Sequence, residues 1–472
     1  NPYADVTNDL LPDIAFARIT ARNAAELELM IGKALDYERN PPISEYFYHH
    51  PITALGWQTE RWFQICSEAV GGYFRTKGKE PIRINEVYGG DPDADPWSIA
   101  GNTPAILSTF GPEGLGYIPA TPGELGNWEG GNANDINQAV NNGAFLLQHR
   151  DHGNENGWGE PYYTRNEISG LQNTELTFVM SINCQTGKFN SGSESFGEKF
   201  HRYRFNGEAS GALGLIAPTE VSYSFVNDVF AWGFYDNLFP DFFPQFGTTP
   251  PSRGMYPAFG NAAGKYFLFA SGWPSNPQHK SITYKLFHHH GDAFTGLYSE
   301  VPQALTVSHD SVMLAGTFFF DVEADEGSLI ALSVNGELIG VATATGEPVP
   351  VEIIPQNPPH ILDVVVTKEN HFRHHSTVQI IPPQGPFVIS QACHVNDAEG
   401  NGNGLLDYGE TAVFDMTFDN LGNESAEDVV VHIFTDDEYV TIIDNETFAG
   451  TIAAGEVKEV ADAFSVTLAD DV

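Results

Sequence analysis

Two stretches decide the fold: Gly143-Ala-Phe-Leu-Leu-Gln-His-Arg-Asp-His152-Gly153 and Leu176-Thr-Phe-Val-Met-Ser-Ile-Asn-Cys184. Each reads as a short buried strand, and the residues between them, with a helical turn from Glu167 to Leu171, are long enough for a parallel crossover. Parallel neighbours end at the same sheet edge, and that edge is where open α/β sheets bind ligands. His152 and Cys184 would then project together into one cleft. A thiol beside an imidazole is the arrangement of a cysteine nucleophile and its base.

Around this pair the pattern predicts an α/β domain. Leu11 to Ile19 reads as a strand. A helix from Ala24 to Glu38, with Leu27, Met30, Ile31, Ala34 and Leu35 on one face, stops before Asn40-Pro41-Pro42. Arg61 to Cys66 reads as a second strand, and the Gly-, Pro-, Asn- and Asp-rich residues 89–135 as long loops near the cleft. A helix near Phe196 to Tyr203, a buried strand from Gly211 to Ala217 and an aromatic stretch through Tyr223, Phe230, Trp232 and Tyr235 continue the domain. From Ala304 the pattern becomes alternating strands, with Asn335-Gly336 marking a hairpin. The expected division is 1–302, an α/β domain; 303–384, a β-sandwich of immunoglobulin size; and 385–472, a second β-sandwich that looks unfinished.

Composition narrows the function. With 62 Asp and Glu against 22 Lys and Arg, the formal charge of −40 argues against binding nucleic acid, where cations must replace the phosphate counterions. An acidic surface favours solubility in salt, collects Ca²⁺ and steers basic peptides, although solvation explains most of it. The three cysteines, Cys66, Cys184 and Cys393, are too scattered for a disulfide framework, and Cys66 and Cys393 read as small buried residues. No apolar run approaches the roughly 18 residues of a membrane span. The start, Asn1-Pro-Tyr-Ala-Asp, has no signal-peptide pattern, so the chain reads as soluble or already processed.

Ordered motifs carry a resemblance. Pro12 to Ile19, Tyr37-Glu-Arg-Asn40, Asp151-His-Gly153 with Trp158, Asn183-Cys-Gln-Thr-Gly-Lys-Phe189, and Phe287 to Pro302 with Gly291-Asp292 together resemble the gingipain family of secreted bacterial cysteine peptidases. The similarity covers about residues 10 to 380. It implies a caspase-like catalytic domain followed by an immunoglobulin-like domain, at an extracellular or bacterial cell-surface location. The family carries a further subdomain upstream of the match, which implies the protein's own cleaved N-terminal fragment as a partner alongside protein or peptide substrates. The last β-module lies outside the resemblance.

What the family does implies roles here. Cys184 attacks the scissile carbonyl through a thioester acyl-enzyme, His152 moves the proton, and the N–H groups of Gly153 and Cys184 form the oxyanion hole, with no cofactor in catalysis. An acid before a Gly-Gly pair orients the histidine. Gly71-Gly72 makes Glu68 the candidate, two positions out of register, against an ordinary surface carboxylate. Cleavage after basic residues needs an acid in the S1 pocket, for which Glu80 is the candidate. Tyr223 and Trp158 are candidate substrate-binding aromatics, against core packing. Two rival readings are a catalytically silent adhesion or assembly protein and a sortase-like transpeptidase of the same family. Separately, the loop from Asp397 to Glu410 spaces Asp397, Asn401, Asn403, Asp407 and Glu410 around glycines as calcium loops do, against plain hairpin turns. His288-His-His290 and His374-His375 read as packed or solvated histidines in preference to zinc ligands.

Overall fold

The computed structural model describes residues 3–60, 62–398 and 400–470. They form two units, one of residues 1–304 with 369–372 and one of residues 305–368 with 373–472.

The first unit is built on a seven-stranded sheet. Its strands in chain order are β1 (Ala17–Arg18), β2 (Ile52–Leu55), β3 (Ile82–Asn85), β4 (Leu146–Arg150), β5 (Thr177–Ile182), β6 (Ala212–Pro218) and β7 (Phe287–His290). The spatial order is β1-β7-β6-β5-β4-β2-β3, and every pair is parallel except β6 with β7. Every residue of β2, β4, β5 and β6 is buried. Strands covered on both faces have no solvent side to alternate with, so β2, β5 and β6 read as largely apolar, whereas β4 turns polar at Gln148, His149 and Arg150, which are held inside by hydrogen bonds and an ion pair. The expected parallel pairing of the two deciding stretches is present, with Leu146 opposite Phe178 and Arg150 opposite Ile182. A 3₁₀ turn at Glu167–Gly170 lies in the crossover.

Several expectations are corrected. The residues expected as a second strand are instead the start of a helix, Trp62–Thr76, with Arg61 outside the described residues. Its polar and small residues, Gln64, Ser67, Glu68, Gly71, Gly72 and Arg75, recur every three to four positions, a helical period that extends past the Arg61 to Cys66 stretch, although every residue from Trp62 to Phe74 is buried. Of the strand expected from Leu11, only Ala17–Arg18 pairs. The helix at Ala24–Arg39 buries Met30, Lys33 and Tyr37, leaving Leu27, Ile31 and Leu35 about 40% exposed (42, 40 and 43%). The buried Lys33 caps three carbonyls, of His201, Ser210 and Ala212, at 2.7, 2.7 and 3.0 Å. That satisfied cation takes the place the apolar stripe was expected to hold. Residues 89–135 are not all loop either, since Thr103–Phe110 is helical.

The second unit is all β. One sheet pairs Val307–His309, Phe319–Ala324 and Val349–Glu352. A five-stranded sheet joins Val312–Leu314, His374–Ile381, Ile361–Thr367, Leu329–Val334 and Glu337–Thr343. Val322, Ile330, Leu332, Val351, Val364 and Val378 pack between them. Asn335 and Gly336, at φ 52° and 83°, make the expected hairpin turn with both residues left-handed. The last module has a four-stranded sheet, Val388–Asn396, Thr411–Asn420, Val457–Leu468 and Val440–Asp444, and a pair, Ala426–His432 with Glu446–Ile452. Cys393, expected to be buried, is exposed on its first strand. Among the described residues no helix is long and apolar enough to cross a membrane.

Candidate active site

β4 and β5 end in register at Arg150 and Ile182, and His152 and Cys184 each lie two residues beyond. The pairing carries one step past the strands, where Asp151 N–H donates to Ile182 O at 3.4 Å. Gly153 then lies against Asn183, whose side chain would stand 3.0 to 3.2 Å from any added Cβ. The His152-Gly153 and Asn183-Cys184 pairs are therefore neighbours on the carboxyl edge of one sheet. His152 is exposed and Cys184 half-exposed, so both groups are open to a ligand.

The chain after β6 reaches the same edge. Ser222 points its N–H at Cys184 Sγ, at 3.4 Å, and its hydroxyl at Asn183 O. Gln185, directly after the cysteine, has φ 59°, a left-handed conformation uncommon outside glycine and asparagine. Among the described residues the Cys184 N–H has no acceptor in the fold.

A buried clamp fixes this edge. Asn183 Nδ2 donates to His149 Nδ1 at 3.0 Å and to Ser181 Oγ at 2.8 Å, while Asn183 Oδ1 accepts from Thr186 Oγ1 at 2.6 Å. With Nδ1 accepting, His149 carries its proton on Nε2, which faces Glu160 O at 3.0 Å. Burial holds the His149 imidazole down to about 3, so it stays neutral. Trp158 stacks on the same imidazole, with centroids 4.0 Å apart and planes 3° from parallel, and donates to Ser181 Oγ at 2.9 Å. At 1% exposed, Trp158 is part of this clamp and not a wall for substrate, a correction to its expected role.

Asp151, adjoining His152, is buried. Its Oδ2 accepts from Glu160 N at 2.7 Å, its Oδ1 has no partner, and Gly56 and Gly159 leave the room its carboxyl fills. Burial pushes this carboxyl up to about 7. On the other face of β4, the Arg150 guanidinium grips Asp228 and lies 3.9 Å over the Phe63 ring, which meets the His152 imidazole edge to face at 5.3 Å.

Two expected site residues stand elsewhere. Glu68 lies mid-helix, buried, with Oε1 held by Arg83 at 2.6 Å and Oε2 by Arg75 at 3.4 Å. It is a structural anion. Gly72 is where the helix meets the Tyr117 carbonyl, which an added Cβ would approach to 1.7 Å. Glu80 precedes β3, with its N–H on His49 O, and so sits at the amino edge of the sheet, opposite the cysteine. It is 75% exposed beside His49 and His50 and cannot line a pocket at Cys184. Tyr223 adjoins Ser222 and stacks on His279 with centroids 3.8 Å apart.

His288, His289 and His290 form β7, and burial holds each down to about 3, as packed neutral histidines. Among the described residues no three His, Cys, Asp or Glu side chains are grouped to hold a metal ion. The contributions of Asn183, Ser222 and Asp151 were missed by the sequence reading. Ser222 had a signal, because a loop that follows a strand parallel to β5 must open at the edge that carries Cys184.

Comparison with known proteins agrees with this fold. The chain is similar to gingipain R2 of Porphyromonas gingivalis, 22% identical over 343 residues, covering 71% of this chain and 40% of that protein. It is 25% identical to Lys-gingipain of the same organism over 254 residues, covering 49% of this chain and 14% of that one. The chain thus spans well under half the length of these relatives. Among solved structures, the Arg-specific cysteine proteinase gingipain R superposes with a TM-score of 0.63 at 17% identity, over 80% of this chain and 78% of that one. The complex of P. gingivalis RgpB pro- and mature domains gives 0.63 at 16% identity, over 80% and 79%. The first unit is accordingly caspase-like, and the match of residues 1–297 to peptidase family C25 means that this chain belongs to that family.

Proposed function

We propose that the chain is a cysteine endopeptidase with Cys184 as nucleophile and His152 as its proton carrier. The observation that carries this is the equal overhang of the two residues past the paired ends of β4 and β5, with both side chains open to solvent. The Cys184 sulfur attacks the scissile carbonyl carbon, and the developing oxyanion takes N–H bonds from Cys184 and Gly153. Glycine after the histidine lets a backbone approach closely, and an uncommitted Cys184 N–H suits the role. His152 protonates the leaving amine, the C–N bond breaks and a thioester remains. His152 then takes a proton from water, whose oxygen displaces the sulfur.

A preference for basic P1 residues is the finer part of the reading. It extends to this chain what a solved relative is, an Arg-specific proteinase, with Tyr223 as one wall of the pocket and without Glu80. An extracellular or bacterial-surface setting and association with an N-terminal fragment belong to the same extension; one similar structure is a complex of pro- and mature domains. The test is peptide hydrolysis by the parent and by Cys184→Ala, with a P1 panel and an added amine acceptor. Equal turnover by the two proteins would end the assignment. Cleavage confined to apolar or acidic P1 residues would end the P1 reading, and amine-capped products would point to transfer.

A structural Ca²⁺ in the loop closing on Glu410 is a separate proposal. Glu399 lies outside the described residues. Asn401 and Asn403 both reach Asp407 Oδ2, at 2.6 and 2.7 Å, Glu410 takes the N–H of Asn401, and Asp397 takes those of Asn403 and Gly404. These bonds link the five residues within one loop, although the three carboxylates are not themselves gathered around one point. An oxygen shell for Ca²⁺ there needs the asparagines as well as the carboxylates.

A further inference from the structure

One buried ion pair touches both halves of the site. Arg150 and Asp228 pair through Nε with Oδ1 and through Nη2 with Oδ2, the second at 3.0 Å, and both residues are almost fully buried. On the histidine side, the Arg150 guanidinium lies 3.9 Å over Phe63, whose ring meets the His152 imidazole at 5.3 Å. On the cysteine side, Asp228 Oδ2 accepts the Phe225 N–H at 2.9 Å and Trp62 Nε1 at 2.5 Å. Phe225 is held at φ 70°, a strained conformation for an aromatic residue, and it closes the turn whose Ser222 N–H points at Cys184 Sγ. Asn227, one residue before Asp228, donates to Ser222 Oγ at 2.7 Å.

A fold needs no buried charges in this place. A hydrophobic pair of similar volume stabilises a core at least as well, whereas a bidentate guanidinium–carboxylate pair fixes direction on both sides. We propose that Arg150 and Asp228 are positioning residues for the dyad, setting the imidazole through Phe63 and the sulfur through the Ser222–Phe225 turn. This rests on the peptidase reading for its consequence in turnover. The effect on the thiol's reactivity can be read without a peptide.

The experiment measures kcat, KM and the rate of Cys184 alkylation by iodoacetamide for the parent, Asp228→Asn and Phe63→Leu, with folding checked by thermal melts. Asp228→Asn keeps the shape and removes the charge. The expected result is a fall of about tenfold or more in kcat with KM within about twofold, and a matching fall in alkylation rate. Phe63→Leu leaves the ion pair and removes the ring against the imidazole, so it decides the matter even if Asp228→Asn does not fold. Its expected kcat loss is about fivefold at unchanged KM. Phe63→Leu with parental kcat, or a folded Asp228→Asn with parental kcat and alkylation, would overturn the proposal, as would losses confined to KM. A parent that is alkylated at Cys184 yet cleaves no peptide refutes the peptidase reading instead, and the alkylation rates still judge the positioning.

Discussion

Replacing Asp151 by Asn should flatten part of the protein's stability against pH. The carboxyl is buried beside His152, with one oxygen on the Glu160 N–H and the other unpartnered, and burial raises it from 3.8 to about 7. A carboxyl raised in the folded state keeps its proton where the unfolded chain has lost one. Its contribution is therefore fully present below the unfolded value and is lost as pH rises towards the folded value. Between about pH 5 and pH 8 the extra proton of the folded state, integrated over pH, amounts to about two units, which at roughly 1.4 kcal/mol per unit is about 3 kcal/mol. The asparagine variant cannot titrate there, so the parent should lose about 3 kcal/mol more than the variant across that range, other titrations cancelling in the difference. Urea melts followed by tryptophan fluorescence measure it cleanly, because all 7 tryptophans fall within the first unit. A parent-minus-variant difference that changes by less than about 0.5 kcal/mol between the two pH values would refute the burial argument.

Glu68→Gln should lower the first unit's stability by about 3 kcal/mol, because it strands two guanidinium groups, while kcat per folded molecule stays at the parental value; a selective kcat loss would return Glu68 to the catalytic machinery. Trp158→Ala should cost about 3 to 5 kcal/mol in the same melts, since it empties the stack on His149 and frees Ser181, and an unchanged midpoint would show that the clamp is dispensable. Gly72→Ala should destabilise by more than about 3 kcal/mol through collision with the Tyr117 carbonyl, read as a shifted urea midpoint. If the loop ending at Glu410 takes calcium, excess Ca²⁺ over EGTA should raise the melting temperature of the second unit, and coincident melts would count against it.

The catalytic edge was legible because its signals are local. Two strand-length stretches that open on apolar residues, each ending in a reactive side chain with a crossover between them, specify parallel neighbours, and β4 and β5 pair accordingly. The Asn335-Gly336 hairpin was equally local, since two adjacent left-handed residues are a property of the dipeptide. What failed depended on a longer window or on distant partners. The Trp62–Thr76 helix does carry the helical period, in Gln64, Ser67, Glu68, Gly71, Gly72 and Arg75, but the six residues Arg61 to Cys66 are too short a window to show it. Glu68 looked available because its two cations, Arg75 and Arg83, come from the far end of the same helix and from the neighbouring strand. Glu80 was reached by counting residues, yet only the direction of β3 says which sheet edge a residue occupies. Trp158 carried no mark of the histidine it would cover, 9 positions before it in sequence but a strand and a turn away in the fold.

The matched overhang of β4 and β5 has a consequence for change. Because two adjacent backbones set the spacing of sulfur and imidazole, connecting segments that do not touch the pair can lengthen, shorten or exchange sequence without altering the reactive geometry, whereas the Ser222–Phe225 turn and the segment carrying Trp158 and Glu160 cannot. Diversity in what such a scaffold recognises should therefore accumulate in the remaining segments over the sheet's carboxyl rim, while the strands beneath tolerate little beyond swaps of equal volume.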